Sequence, residues 1–345
     1  MQPIINKQTT DEEVKLILTE LSNKHSLPFV MTKESVVKRF ADGNQSIPLA
    51  VYPDGNYDSE FVVRVPLSME AMEELKQDSI LSQYLNSYIK KTRIPQVSFI
   101  ENNGDFPIAV HRSIKGKTMD CAGQADTIHY VNLSEQQKNL LAQDLAVFFN
   151  ELHQAPIDEH SSVSRNCVEY CDEKCFDIYK EKMKHFGINM EDFKTETKED
   201  LVCCHNDCHG GNMAFDDKKD HVLQGVFDFG MCGINIRSSD FIKLYQINRE
   251  LARRTVNEYN KISSKKVNIK DVDKQYLAWH AQNLMIAEKL DDKSKQILLT
   301  KIKMDLLNFK KDLKKEKQDA VNSNNDEKIK KSVFPIGINL AKVKE

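Results

Sequence analysis

The sequence predicts an α+β protein of two lobes: a small antiparallel sheet carrying one long helix, followed by a mainly helical half. Three observations carry this expectation. At 345 residues the chain exceeds the roughly 100 to 200 residues that one core usually serves. Before residue 112, short β-branched and aromatic runs alternate with Asp-Gly turns. After Gly116 apolar residues recur at spacings of three and four instead, the period of a helix.

Residues 11–24 predict the first helix. Thr10 caps it, its first turn is acidic, and Val14, Leu16, Ile17 and Leu21 recur at helical spacing. ESVVKRF, PLAVYP and EFVVRVPL, separated by ADGNQS and DGNYDS, predict three antiparallel strands. Met72, Leu75, Ile80, Leu81, Tyr84 and Leu85 mark the long helix, from about Met69 to Lys90 and closed before Pro95. QVSFIEN and FPIAVHRSI predict two further strands turned at Asn103 and Gly104. The lobe boundary falls at residues 112–117, giving an N-lobe of residues 1–112 and a C-lobe of residues 113–309. The clearest C-lobe helix is NLLAQDLAVFFNELH at residues 139–153, and the Lys-rich segment 310–345 reads as a solvated helix end followed by a tail.

Composition excludes several classes. Apolar residues at 40% and charged residues at 29% are ordinary for a folded chain. A net charge of −3 supplies no basic field for nucleic acid. No run reaches the roughly 20 apolar residues that span a bilayer, and the N-terminus lacks a basic stretch leading into an apolar one. A soluble, cytoplasmic protein is expected. Eight cysteines are too dilute for a disulfide scaffold. Cys167, Cys171 and Cys175 share a face if their segment is helical and read as a buried thiol stripe.

The segment HNDCHGGNM, residues 205–213, concentrates the chemistry. Downstream, NMAF and HVLQGVFDF flank the charged turn DDKKD and predict a β-hairpin with Asn212 before one strand and Asp228 after the other. Two oxygen donors without a thiolate suit a hard cation such as Mg²⁺, completed by phosphate and water. Asp207 precedes Asn212 across a Gly-Gly pair that permits a tight loop and close approach to a ligand. A carboxylate there can take the proton of an attacking hydroxyl in phosphoryl transfer. The rival is zinc on Cys203, Cys204, His205, Cys208 and His209, although no second ligand pair stands at a familiar distance. His209 alone reads as a loop residue, and His153 as core or cap.

His205, Asp207 and Asn212 as H-x-D-x-x-x-x-N, followed by FDFG with Asp228, resemble the catalytic core of protein-kinase-like phosphotransferases. Asn206 in place of the usual Arg, with Gly-Gly before Asn212, is similar to the aminoglycoside phosphotransferase and choline kinase superfamily rather than to protein kinases. FVVRVPL, FPIAVHRSIKG, NELHQAP and SSDF follow the same order, over roughly residues 35–290. The resemblance implies a bilobal protein-kinase-like fold binding ATP and Mg²⁺ in its cleft. It implies Asp207 as catalytic base, His205 as a mainly structural member of the catalytic loop, Asn212 and Asp228 as Mg²⁺ ligands, and Asp240 as a brace. On the third strand, alternation sets Val62 and Arg64 on one face; the resemblance gives Val62 to the adenine and Arg64 to the phosphates.

Two acids of the long helix compete to pair with Arg64: Asp78, which precedes an aligned Tyr-Leu, and Glu74, one turn earlier. No G-x-G-x-x-G precedes the third strand, so ADGNQS is the expected phosphate cover. The implied reaction moves the γ-phosphoryl group of ATP to a hydroxyl of a small molecule, of aminoglycoside, choline or sugar type. Asp271, Asp273, Tyr276, Trp279, Glu288, Asp291 and Asp292 offer acids and aromatics for a cationic acceptor, or an ordinary acidic surface. The alternatives are a kinase-fold enzyme that modifies a protein, by phosphorylation or nucleotidyl transfer, and a non-catalytic nucleotide-binding module. An absent A-P-E-ended activation segment speaks against a conventional protein kinase, and an intact Asp207, Asn212 and Asp228 against the module. Oligomeric state and the choice between ATP and GTP are not encoded in any of these motifs.

Overall fold

The structure, a computed structural model, describes residues 5–333 apart from 7, 25–26, 40–45, 57–59, 103–104, 121–126, 157–172, 194–199, 217 and 219–221. The chain opens with α1 (Asp11–Lys24), whose Thr10 hydroxyl accepts from the Glu13 backbone N–H while the Glu13 carboxylate accepts from Thr10 N–H. Val14, Leu18 and Leu21 bury its inner face. Leu16, counted in the apolar stripe from sequence, is 71% exposed. The strands β1 (Val36–Arg39), β2 (Ser46–Tyr52) and β3 (Phe61–Pro66) follow, then α2 (Met69–Leu85), β4 (Ser98–Asn102) and β5 (Asp105–Arg112). They form one antiparallel sheet, as expected, with the strands in the order β1-β2-β3-β5-β4.

The pleat of β3 divides two environments. Phe61, Val63 and Val65 join Ile47, Leu49, Ile108 and Val110 beneath α1, forming one core. The other face carries Val62 and Arg64, both only partly buried. On that side α2 contributes Leu75, packed with Val97 and Ala109. Ser68 starts α2 by accepting from Ala71 N–H. The helix stops at Leu85, short of the expected Lys90. Asn86 draws the chain away by donating to the carbonyls of Ser82 and Pro95, and the N–H groups of Lys90 and Lys91 turn to the Glu151 carboxylate.

The second half comprises α3 (Glu135–His153), α4 (Glu173–Lys184), β6 (Leu201–Cys204), β7 (Met213–Phe215), β8 (Leu223–Val226), β9 (Gly233–Ile236), α5 (Arg249–Ile262), α6 (Ile269–Ala287) and α7 (Asp292–Val333). β7 and β8 make the expected hairpin, while β6 pairs with β9. α3 begins four residues before the run that marked it, because Ser134 and Gln137 form a reciprocal capping box. Its Phe148 and Phe149 are fully buried, Phe149 against Phe241. α7 does not end at the Lys-rich segment; it continues to Val333, through a stretch with neither Pro nor Gly. Ile302, Leu306 and Phe309 anchor it. No helix among the described residues is long and apolar enough to cross a membrane. Residues 41–45 of the expected phosphate cover, the Asn103-Gly104 turn, and Cys167 and Cys171 of the thiol stripe lie outside the described residues, as does the Cys175 side chain.

Candidate active site

β6 delivers the chain into the 205–212 loop and β7 takes it out, so the loop is anchored at both ends by strands. Asn206 turns it at φ 63°, a left-handed conformation that Asn adopts more readily than most residues. The Asn206 amide is locked there, donating to Met231 O at 3.1 Å and accepting from Asn235 Nδ2 at 3.0 Å. Beneath the turn lies the fully buried carboxylate of Asp240. It accepts from Asn206 N–H at 2.8 Å, His205 N–H at 3.1 Å and His153 Nε2 at 3.1 Å. The brace implied by resemblance is therefore present. His153, a core residue as expected, closes the network with Tyr259 Oη at 3.0 Å from its Nδ1. Burial holds the His153 ring below its ordinary value, partly offset by Asp240.

His205 is buried and keeps both ring nitrogens inside. Nδ1 accepts from Asp207 N–H at 3.3 Å, and Nε2 donates to Phe227 O at 3.2 Å. It ties the loop to the strand end that carries Asp228. Asp207 itself is 30% exposed, the partial opening a reacting carboxylate needs. Its Oδ2 accepts from Asn212 Nδ2 at 3.1 Å and lies 3.6 Å from His209 Nε2, while Oδ1 lies 3.1 Å from Lys243 Nζ. His209 caps the short turn Gly210–Asn212 through Gly211 N–H, and burial lowers its pKa against the opposing pull of Asp207. Gly210 lets the tight loop pack closely: a Cβ on it would sit 1.9 Å from Met119 O, so its close neighbour is protein backbone.

Asn212 and Asp228 stand at the same end of the β7–β8 hairpin. Met213 pairs with Val226, and Phe227 N–H donates to Asn212 O at 3.0 Å. The Asn212 amide nitrogen is directed to Asp207 O and Oδ2. Asp228 takes φ 64°, which aims a half-exposed carboxylate back toward the N-lobe. Two hard oxygen donors fit Mg²⁺. Arg64 NH1 lies 2.9 Å from Asp78 Oδ2 and 3.9 Å from Asp228 Oδ1. Asp78 is thus the helix acid that meets Arg64. Glu74, one turn earlier on α2, is exposed and does not meet it. Val62, on the Arg64 face, stands opposite Ala50 and His111. Burial raises the Asp78 pKa to about 6 although Arg64 opposes the shift, because α2 takes the carboxyl almost wholly out of water.

The zinc alternative fails on direction. Cys203 faces Cys232 at 3.7 Å, Cys204 faces the Asn235 carbonyl, and Cys208 faces Met213 sulfur at 3.6 Å. Burial pushes the Cys204 and Cys208 thiols up. Among the described residues, His153, Cys204 and Asp240 bring three potential ligand atoms within 4.8 Å, but Asp240 and His153 are already hydrogen-bonded as above. A cavity of about 580 Å³ opens elsewhere, beside the interlobe segment Arg112–Ile114 and residues Lys90–Ile94, with none of the Asp207 cluster in its wall.

Lys243 and Trp279 are the neighbours that sequence reasoning did not assign to Asp207. Lys243 Nζ sits 4.7 Å above the Trp279 ring on α6 while meeting Asp207. Lys243 had no signal beyond its place three residues after Asp240; Trp279 stood in the acceptor segment only as one aromatic among acids.

A five-stranded sheet whose strand cation is paired by a helix acid, set over a braced acid-asparagine loop and a hairpin carboxylate, defines a kinase-like phosphotransferase. The chain belongs to the phosphotransferase enzyme family (APH), whose model matches residues 49–264. Solved structures of the same fold include the GDP complex of aminoglycoside 2'-phosphotransferase-IIIa, 18% identical over 85% of this chain and 99% of that one, with a TM-score of 0.63. ADP-bound aminoglycoside phosphotransferase APH(2'')-Ib is 19% identical over 86% and 97%, at 0.58. Macrolide 2'-phosphotransferase type I is 14% identical over 86% and 97%, also at 0.58.

Proposed function

We propose that this phosphotransferase moves the γ-phosphoryl group of a purine nucleoside triphosphate, ATP in the simplest case, to a hydroxyl of a small molecule, with Asp207 as the base. The observation that carries the reading is the Asp207 carboxylate, part-exposed and held by Asn212 and Lys243 on a loop that also bears one metal donor. The acceptor hydroxyl gives its proton to Asp207 as its oxygen bonds to the γ-phosphorus, and the bond to the β-bridging oxygen breaks to release the diphosphate. Asn212 and Asp228 would hold Mg²⁺, which would supply neutralisation of the phosphate charge. Arg64, oriented by Asp78, meets the phosphates with a forked guanidinium. Val62 offers its apolar face to the base. Positioning and charge neutralisation do most of the work, as phosphoryl transfer asks little covalent chemistry of the protein.

Structurally related phosphotransferases have been crystallised with GDP and with ADP, which supports a purine nucleotide without choosing between the two. The test is acceptor-dependent ADP release over a panel of hydroxyl compounds. Asp207→Ala abolishes release and keeps the Mg·ATP thermal shift, whereas Asp228→Ala weakens that shift as well. Wild-type turnover by Asp207→Ala would remove Asp207 from the role.

A further inference from the structure

Resting on the phosphotransfer reading above, a second residue sets what sits beside the reacting hydroxyl. The Lys243 ammonium touches Asp207 Oδ1 at 3.1 Å and lies 4.7 Å over the Trp279 ring, with its side chain only 12% exposed. An acceptor oxygen hydrogen-bonded to Asp207 Oδ1 would share that oxygen with the ammonium. A carboxylate backed by an aromatic face is the kind of seat an ammonium ligand would take, and here the protein's own lysine occupies it.

Three of the acids offered for a cationic acceptor, Asp273, Glu288 and Asp291, are committed elsewhere. Asp273 pairs with Arg249 at 3.0 Å and accepts from Tyr245 Oη at 2.7 Å. Glu288 pairs with Lys182, and Asp291 accepts from Lys293 and Ser294 N–H at the start of α7. Beside Trp279 on α6, His280 is buried with neither ring nitrogen hydrogen-bonded, and Lys301 and Lys243 add to the burial that disfavours its charged form.

We propose that Lys243 is an acceptor-specificity residue: its ammonium receives an anionic group, phosphate or carboxylate, carried close to the acceptor hydroxyl, and rejects acceptors with an ammonium at that position. The acceptor class is an anionic alcohol, such as a sugar phosphate or a hydroxycarboxylate. Lys243 also touches Asp207, so loss of rate alone would not separate specificity from positioning. The deciding quantity is the ratio of kcat/KM between acceptor classes.

The experiment measures acceptor-dependent ADP release for size-matched sugar phosphates and hydroxycarboxylates, uncharged polyols, and amino alcohols with aminoglycosides. Wild type prefers the anionic class. Lys243→Met, which keeps the stem over Trp279, lowers kcat/KM for anionic acceptors by about tenfold relative to polyols, and Lys243→Glu shifts preference toward ammonium acceptors. Preference of the wild type for ammonium acceptors overturns the proposal, as does an equal loss for all three classes in Lys243→Met. Absence of turnover with every class, while Mg·ATP still raises the melting temperature, overturns the phosphotransfer reading itself and the proposal with it.

Discussion

Asp240 shows how one buried carboxylate braces the 205–212 loop. Its oxygens receive the N–H groups of His205 and Asn206 and the Nε2 of His153, so the backbone entering the loop is held before any substrate arrives. Asn206 can then keep its left-handed turn, and Asp207 emerges part-exposed on the far side. Removing the carboxylate orphans three buried donors at once. Asp240→Ala is expected to cost about 3 kcal/mol of unfolding free energy, read by urea denaturation, together with loss of turnover. A cost near zero would mean that water replaces the carboxylate and that the loop does not depend on it.

At the scale of elements, the glycines around the loop differ in how tightly they are packed. Gly210 lies against Met119, whose N–H donates to Gly210 O at 3.1 Å and whose carbonyl leaves no room for a Cβ. Gly230, after Asp228, leaves room: a Cβ there would meet Asp228 Oδ1 at an ordinary 3.6 Å. Gly210→Ala should therefore destabilise the fold by at least about 2 kcal/mol, whereas Gly230→Ala leaves thermal stability close to wild type. Equal melting temperatures for the two variants would show that the loop at Met119 yields freely. Elements with strong local signals were legible in sequence: the β1–β5 runs between Asp-Gly turns, α1 with its capped acidic start, and the β7–β8 hairpin. β6 and β9 were not, because each is a four-residue run that becomes a strand only by pairing with the other across residues 201–236. The true start of α3 was written in Ser134 and Gln137 but outranked by the apolar run beyond it.

For the whole molecule, the candidate site was legible where chemistry comes in one contiguous motif, as at 205–212, and ambiguous where it needs two lobes to meet. Glu74 and Asp78 lie one turn apart on α2, and only the packing of that helix against β3 and the Phe229 segment brings Asp78 to Arg64. Lys243 reaches Asp207 from 36 residues downstream, backed by Trp279 on α6, a tertiary contact with no local signature. The same packing makes the lobe junction sensitive to pH. Asp78 in the fold titrates at about 6, above its ordinary 3.8, with burial as the first cause and Arg64 opposing it. A raised acid favours folding most when protonated: that stabilisation is present below the unfolded value and lost as pH rises through about 6, so the charged pair is held at a cost in stability. Its return is in binding. Below about 6 the carboxyl takes a proton, Arg64 loses its partner at 2.9 Å, and Asp228 at 3.9 Å becomes its nearest anion, in competition with the Mg²⁺ that Asp228 is proposed to hold. Mg·ATP affinity should therefore fall several-fold as pH drops from about 8 to about 5, measured by calorimetric titration. Asp78→Asn should bind weakly throughout and lack the inflection near 6, while unfolding at neutral pH no more easily than wild type. Protonation of the nucleotide itself is common to both proteins and cancels in the comparison, so an identical pH profile in Asp78→Asn would detach Asp78 from the effect.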